Sequence, residues 1–196
     1  KAGYATGLFG KWGLGPAESS GDPMAHGIDR FYGYNCQRQS HRYYPTHLWD
    51  NDKKVALSEN GNLEYTKSYA PDLIQEQALQ FIEQHAQQPF LLFLTYTLPH
   101  AELLVPDDSI YRQYLGKFEE QPYKGNDYGD GATDGGYTSQ LHPHATFAAM
   151  VTRLDKYVGE VMDRLERLGI DDNTFVIFTS DNGPHTEGGA DPTFFR

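Results

Sequence analysis

Twice along the 196-residue chain an amphipathic helical stretch runs into a short, continuously apolar strand, and this repeat constrains the fold more than any other feature. The first stretch opens at Pro71 and continues to about residue 87, with Leu73, Ile74, Ala78, Phe81 and Ile82 on one face at spacings of three and four. Pro89 stops it, and Phe90–Thr95 follows as an apolar strand. The second covers residues 144–168, with Phe147, Met150, Val151, Leu154, Val158, Val161, Met162 and Leu165 in a helical stripe and Gly169 just past its end. Asp171-Asp172-Asn173 makes a turn, and residues 174–179 (TFVIFT) read as a β-branched, aromatic strand. A strand apolar on both faces has to be covered on both, as in parallel sheets flanked by helices. The expectation is an α/β chain with parallel pairing.

The remaining sequence is less regular. Residues 3–15 (GYATGLFGKWGLG) predict a short strand entering a tight glycine loop. From residue 16 to 48 the absence of helical period predicts an irregular surface layer. Residues 55–57 and 63–65, flanking Glu59-Asn60-Gly61-Asn62, predict a small hairpin with Asn-Gly at its turn. Residues 98–142 read as one long loop, and 127–137 (DYGDGATDGGY), almost free of bulky apolar side chains, as a flexible rim within it.

Composition then narrows the classes. Fourteen Tyr, 11 Phe and 2 Trp exclude an intrinsically disordered chain, and the length suits one sizeable domain. No apolar run approaches the ~18 residues of a membrane span. Sixteen basic against 27 acidic residues give a net charge of −11 without a basic cluster, which argues against nucleic-acid binding. A small anionic substrate remains compatible where a cation focuses the field locally. The single Cys36 excludes an internal disulfide and a cysteine-based zinc site.

Three polar motifs sit at expected strand ends, where open α/β sheets bind their ligands. Ser180-Asp181-Asn182-Gly183 offers a carboxylate and an amide oxygen suited to a hard cation such as calcium, and equally an Asx turn. Pro99-His100 places an imidazole able to protonate a leaving group or hold an anionic oxygen, and by itself equally reads as a surface histidine beside a proline. Lys11 lies between glycines that permit close approach of a ligand to the backbone, or is an ordinary exposed loop lysine, and Trp12 after it excludes a Walker A loop.

In this order and spacing, the motif Gly3-Tyr4-x-Thr6-x-x-x-Gly10-Lys11-Trp12-x-Leu14-Gly15, then Pro99-His100, then Phe178-Thr179-Ser180-Asp181-Asn182-Gly183 resembles the type I sulfatases, and the helix segment Ala149-Met150-Val151-x-x-Leu154-Asp155-x-x-Val158-Gly159 shares the likeness. The texture is most similar to bacterial sulfatases acting on sulfated glycans. The resemblance implies an alkaline-phosphatase-like three-layer sandwich with a mainly parallel central sheet. Residues 1–196 would form the central part of one catalytic domain, with 98–142 on the active-site side. It implies a periplasmic or secreted enzyme with one calcium ion and a sulfated carbohydrate substrate. By resemblance, Lys11 holds the sulfate, His100 contacts the bridging ester oxygen, and Asp181 and Asn182 ligate calcium.

The sequence departs from that family in several places. The family's nucleophile is a formylglycine made from Cys or Ser in a C/S-x-P-x-R motif. Cys36 is followed by Gln37-Arg38-Gln39-Ser40 and does not fit. That motif and two further aspartate ligands are expected upstream of Lys1, and a second active-site lysine beyond Arg196, so the isolated chain is expected to be inactive. Gly13 stands where the family usually has His. Weaker substrate-contact candidates are Gln37, Arg38 and His41, which either line a sugar subsite or belong to an ordinary surface loop, and His185, which either touches substrate or faces solvent. His142 and His144 read as a helix-start turn, and Asp127, Asp130 and Asp134 lack the spacing of a calcium loop. The alternatives to a sulfatase are a phosphodiesterase or phosphonate hydrolase of the same superfamily, and a non-catalytic relative that binds sulfated glycans.

Overall fold

A computed structural model describes residues 2–191 and 193. The described chain divides into two compact units, one comprising the residues through Thr97 with Asp127–Gly136, the other Leu98–Asn126 with the chain from Tyr137 onward.

The first unit is built on a five-stranded sheet of order β4-β3-β2-β1-β5. Strand β1 (Ala5–Lys11) lies between β2 (Arg30–Tyr34) and β5 (Phe90–Thr95) and is parallel to both, with Lys11 opposite Tyr34 and Gly10 opposite Thr95. Strands β3 (His47–Asp50) and β4 (Lys53–Ala56) extend the sheet antiparallel. The sheet is thus mixed, its parallel half carrying two of the three expected strands, those ending at Lys11 and Thr95. Helix α1 (Ala70–His85) packs Ile74, Ala78 and Phe81 into a core with Phe9, Tyr32, Tyr34 and Leu48, its Phe81 ring 5.5 Å from that of Phe9.

Glycine is obligatory at two places where the parallel strands converge. A Cβ on Gly33 (φ +157°) would sit 1.9 Å from the Gly10 carbonyl oxygen, and one on Gly10 (φ +128°) would sit 2.2 Å from that of Thr95. Removing both side chains lets β2, β1 and β5 close up at the end that carries Lys11.

Several sequence expectations change here. The interval 16–48 contains β2 and the start of β3, because strands of four and five residues flanked by Gly and Pro leave too little period to read. The hairpin is β3–β4, turning at Asn51 (φ +53°), rather than at Asn60-Gly61. Asn60 is buried instead: its amide donates to the carbonyls of Pro45 (2.7 Å) and Ser68 (3.0 Å) and accepts from the Ser68 amide (2.8 Å). Strand β5 is covered on one face only: Phe90, Leu92 and Leu94 pack toward the α1 core, while Leu91 and Phe93 on the other face are nearly half exposed, because no described element packs over it. The segment 127–136 is anchored rather than loose. Fully buried Arg42 donates from Nε to the Thr133 carbonyl (3.1 Å) and lies 4.6 Å from the Tyr128 ring centre.

In the second unit, α3 (Pro143–Leu168) buries Ala145, Ala149, Met150, Arg153, Tyr157, Val161 and Leu165. It ends at Gly169 in the left-handed conformation (φ +67°), with the Ile170 amide on the Leu165 carbonyl at 3.1 Å. Buried Arg153 pairs with Asp108, whose carboxylate also caps the short helix α2 (Ser109–Arg112) through the amides of Ile110 and Tyr111. Residues 174–179, expected as a buried strand, pair with none of the described strands, and Phe175, Ile177 and Phe178 are exposed. β-Propensity alone does not make a strand; a ladder partner does.

Candidate functional site

The sequence-predicted residues fall into two groups, one in each unit. In the first, Lys11 ends β1, half-buried. The next amide, Trp12, donates to the Tyr34 carbonyl (3.0 Å), and the indole nitrogen donates to the Gly21 carbonyl (2.7 Å), so the chain leaves the sheet along a fixed path. Gly13 (φ +119°) lies beside Gln37: a Cβ there would be 3.3 Å from Gln37 Oε1. The turn following β2 carries Gln37 and Arg38, both exposed, and half-buried His41, whose amide donates to the Arg38 carbonyl at 3.3 Å. The stem of Arg38 packs against Gly135, where any side chain would collide with it. The structure therefore brings the Lys11 loop and the Gln37-Arg38 turn together at the carboxyl ends of two parallel strands.

Sequence reasoning missed Asn35 in the same place. It is 4 % exposed, and neither its Nδ2 nor its Oδ1 has a hydrogen-bond partner. A buried amide without a partner at the carboxyl end of a strand is polarity that packing does not explain. No sequence signal marks it, since an Asn after a strand ordinarily reads as turn chemistry.

The second group centres on two imidazoles. His100 and His185 stack with ring centres 4.9 Å apart and planes at 15°. His100 Nδ1 lies 2.7 Å from the Ala101 carbonyl oxygen, which fixes Nδ1 as the donor and makes Nε2 the unprotonated nitrogen of the neutral ring. His185 Nε2 lies 3.2 Å from the Pro99 carbonyl oxygen, and its Nδ1, enclosed and off the line of a hydrogen bond, is 3.2 Å from Glu187 Oε2. The rings of Tyr137 and Phe147 flank the pair at 6.2 Å from His100 and 6.0 Å from His185. A backbone hydrogen bond from its own amide, and then the two imidazoles, hold the Glu187 carboxyl below the ordinary carboxylate range. Burial, reinforced by the Glu187 charge, pushes the Tyr137 phenol up. Gly188 locks this arrangement: it is buried with φ +65°, and a Cβ there would be 2.8 Å from the Ala101 side chain.

Asp181 and Asn182 lie exposed in the irregular segment before His185, with Ser180 Oγ donating to the Asn182 carbonyl (2.8 Å). Their oxygens are of the hard type calcium prefers, but calcium takes about six to eight, and these two side chains supply a minor part. Among the described residues no group of three or more His, Cys, Asp or Glu is placed to hold a metal ion. The pair does not amount to a calcium site by itself.

A lysine closes a central parallel strand of the first unit, and an imidazole pair stands in the second, each in the setting of an α/β fold. Comparison with known proteins makes this specific. The family model for sulfatases matches residues 1–193, so the chain belongs to the sulfatase family, whose members generally use a metal ion. It is 30 % identical over 216 residues to an arylsulfatase of Hemicentrotus pulcherrimus, covering 100 % of this chain and 33 % of that protein. It is likewise 30 % identical over 208 residues to the N-acetylgalactosamine-6-sulfatase of Mus musculus, covering 99 % of this chain and 34 % of the relative. The chain thus spans about a third of the curated relatives it matches. Among solved structures, Ps i-CgsB in complex with k-i-k-neocarrahexaose superposes with a TM-score of 0.72 at 24 % identity, covering 96 % of this chain and 40 % of that one. The fold is alkaline-phosphatase-like. No described helix is long and apolar enough to cross a membrane.

Proposed function

We propose that the protein hydrolyses a sulfate ester on a carbohydrate and that these residues supply its sulfate-holding and leaving-group side. The observation that carries this reading is the fixed orientation of His100 within a chain of the sulfatase family. With Nδ1 committed to the Ala101 carbonyl, a protonated His100 has its second proton on Nε2. As the sulfur–oxygen bond breaks, that proton passes to the departing sugar oxygen, which leaves as an alcohol. The imidazole returns to the neutral Nδ1–H form that the carbonyl already stabilises.

The other residues act on binding. The ammonium of Lys11 neutralises part of the sulfate charge that an acidic protein would otherwise repel. Gln37, Arg38 and His41 read sugar hydroxyls from the adjoining turn, and His185 supports His100. Asp181 and Asn182 contribute two oxygen donors to one calcium ion. In this reading the nucleophile is a formylglycine outside these 196 residues, which supplies attack on sulfur, and the chain alone is inactive. In this reading the substrate is a sulfated glycan and the protein works in the periplasm or outside the cell.

The test is sulfate release by the full-length protein from a sulfated saccharide. His100→Ala should lower kcat at least about 100-fold on the saccharide, the usual contribution of a general acid. The loss should shrink on p-nitrophenyl sulfate, whose leaving group needs no proton. Equal losses on both substrates, or none on either, refute the assignment.

A further inference from the structure

Gly135 is buried, yet its backbone lies outside the left-handed region and makes no demand for glycine, unlike Gly136 beside it at φ +105°. What excludes a side chain is Arg38. A Cβ on Gly135 would stand 2.3 Å from Arg38 Nε, 2.4 Å from Cγ and 2.9 Å from Cδ, the three nearest atoms it would meet. The stem of Arg38 therefore lies directly on the bare Cα of Gly135, with no room for a methyl group between them.

The segment that carries this glycine is held from several sides. Buried Arg42 donates to the Thr133 carbonyl (3.1 Å) and stands over the Tyr128 ring. The Tyr128 hydroxyl accepts from the Tyr44 amide (3.3 Å), and the Gly129 amide donates to the Leu63 carbonyl (2.7 Å). Thr133 Oγ1 in turn donates to the Gly135 carbonyl at 2.8 Å, which ties the glycine to the residue that Arg42 grips. The root of Arg38 is fixed as well: its backbone is helical (φ −62°, ψ −42°), and its carbonyl accepts from the His41 amide. A long side chain thus leaves a fixed backbone and crosses a fixed floor. Among the described residues its guanidinium has no hydrogen-bond or ion-pair partner, so the floor acts on the stem and leaves the fork for a ligand.

We propose that Gly135 is a positioning residue for substrate recognition: its missing side chain seats the stem of Arg38 and sets the direction of the guanidinium before substrate arrives. An arginine left to roam would lose rotamer freedom on binding, and a seated one has already lost it, so the seat is worth affinity. The inference rests on the reading in which Arg38 contacts the saccharide, and it extends that contact to the anchored segment 127–136, which acts through Arg38.

The experiment is sulfate-release kinetics with thermal melting on the full-length protein carrying Gly135→Ala, Arg38→Ala or both. Gly135→Ala displaces the Arg38 stem and should raise KM about tenfold, the loss of one hydrogen bond to a charged group. The loss falls on ground and transition state alike, so kcat should stay within about twofold of wild type. Arg38 is long and exposed and gives way to the methyl group, so Tm should move by no more than about 2 °C. Arg38→Ala should raise KM by a similar factor. Adding Gly135→Ala to it should change nothing further, because the atoms the methyl group meets are gone. An unchanged KM in either single variant, a further rise in the double variant, or a joint fall of kcat and Tm in Gly135→Ala overturns the assignment. A wild type that releases no sulfate removes the proposed function instead, and the seat is then read from the heteronuclear NOE of the Arg38 Nε–H group. That group should be ordered in wild type and mobile in Gly135→Ala; equal values in the two overturn the seat.

Discussion

Substituting Gly188→Ala adds one methyl group at the point where the 187–189 turn touches the loop of His100. The new Cβ would lie 2.8 Å from Ala101 Cβ, whereas apolar carbons rest about 3.5–4.0 Å apart. The turn must therefore retreat by about 1 Å. The positive φ adds a backbone penalty of about 1–2 kcal/mol. On stability alone that corresponds to a fall in Tm of a few degrees, at about 2–4 °C per kcal/mol for a domain of this size. Function should suffer more. A 1 Å retreat carries Glu187 and His185 away from His100, and misplacement on that scale near the chemistry costs on the order of 100-fold in rate. The measurement is kcat for sulfate release alongside thermal melting of the full-length protein. Adding Ala101→Gly removes the opposing carbon and should recover most of the rate while the φ penalty persists. A single variant with the expected loss of Tm but kcat within twofold of wild type would refute the coupling, as would a double variant no faster than the single one.

Asp108→Asn keeps the cap on Ile110 and Tyr111 but removes the negative partner of buried Arg153, which is 3 % exposed. Breaking a buried pair costs about 3–5 kcal/mol; because the Asp108 side chain is 38 % exposed, solvent reduces the expected loss to about 2–3 kcal/mol by chemical denaturation. A loss under about 0.5 kcal/mol would contradict the assignment. Glu187 predicts a pH signature. Its folded pKa is depressed, so its contribution is present above the unfolded value near 4.3 and disappears as pH falls through the folded one. Wild type should be more stable than Glu187→Gln at pH 6–7, and the gap should close progressively as pH falls below the unfolded value of about 4.3. A gap of the same size at pH 3 would rule this out.

Periodicity in the sequence located α1, β5 and α3 within one or two residues of their observed bounds, because each buries a contiguous apolar face that the local spacing records. Lys11 and His100 stand out in the sequence as residues following expected strands, and the structure does place Lys11 at the end of β1 and His100 in the chain after β5. Periodicity misread residues 174–179 as a buried strand, because β-branched and aromatic composition says what a strand would be made of and nothing about which edge it would pair with. Anchoring of 127–136 by Arg42 depends on contacts spanning about 90 residues, and no local pattern announces it.

The stacking of His185 on His100 brings together residues 85 positions apart, and the Gly188–Ala101 contact that holds them is invisible to any window of sequence. Asn35 is the sharpest case: its identity is plain in the chain, while the absence of any partner for its buried amide exists only once the strands have closed around it. Local sequence dictates which faces are apolar and which loops carry ionisable groups, because those depend on spacing along the backbone. Which of those groups meet, and which polar atoms are left wanting a ligand, depends on packing between segments distant in sequence, and only the tertiary structure decides it.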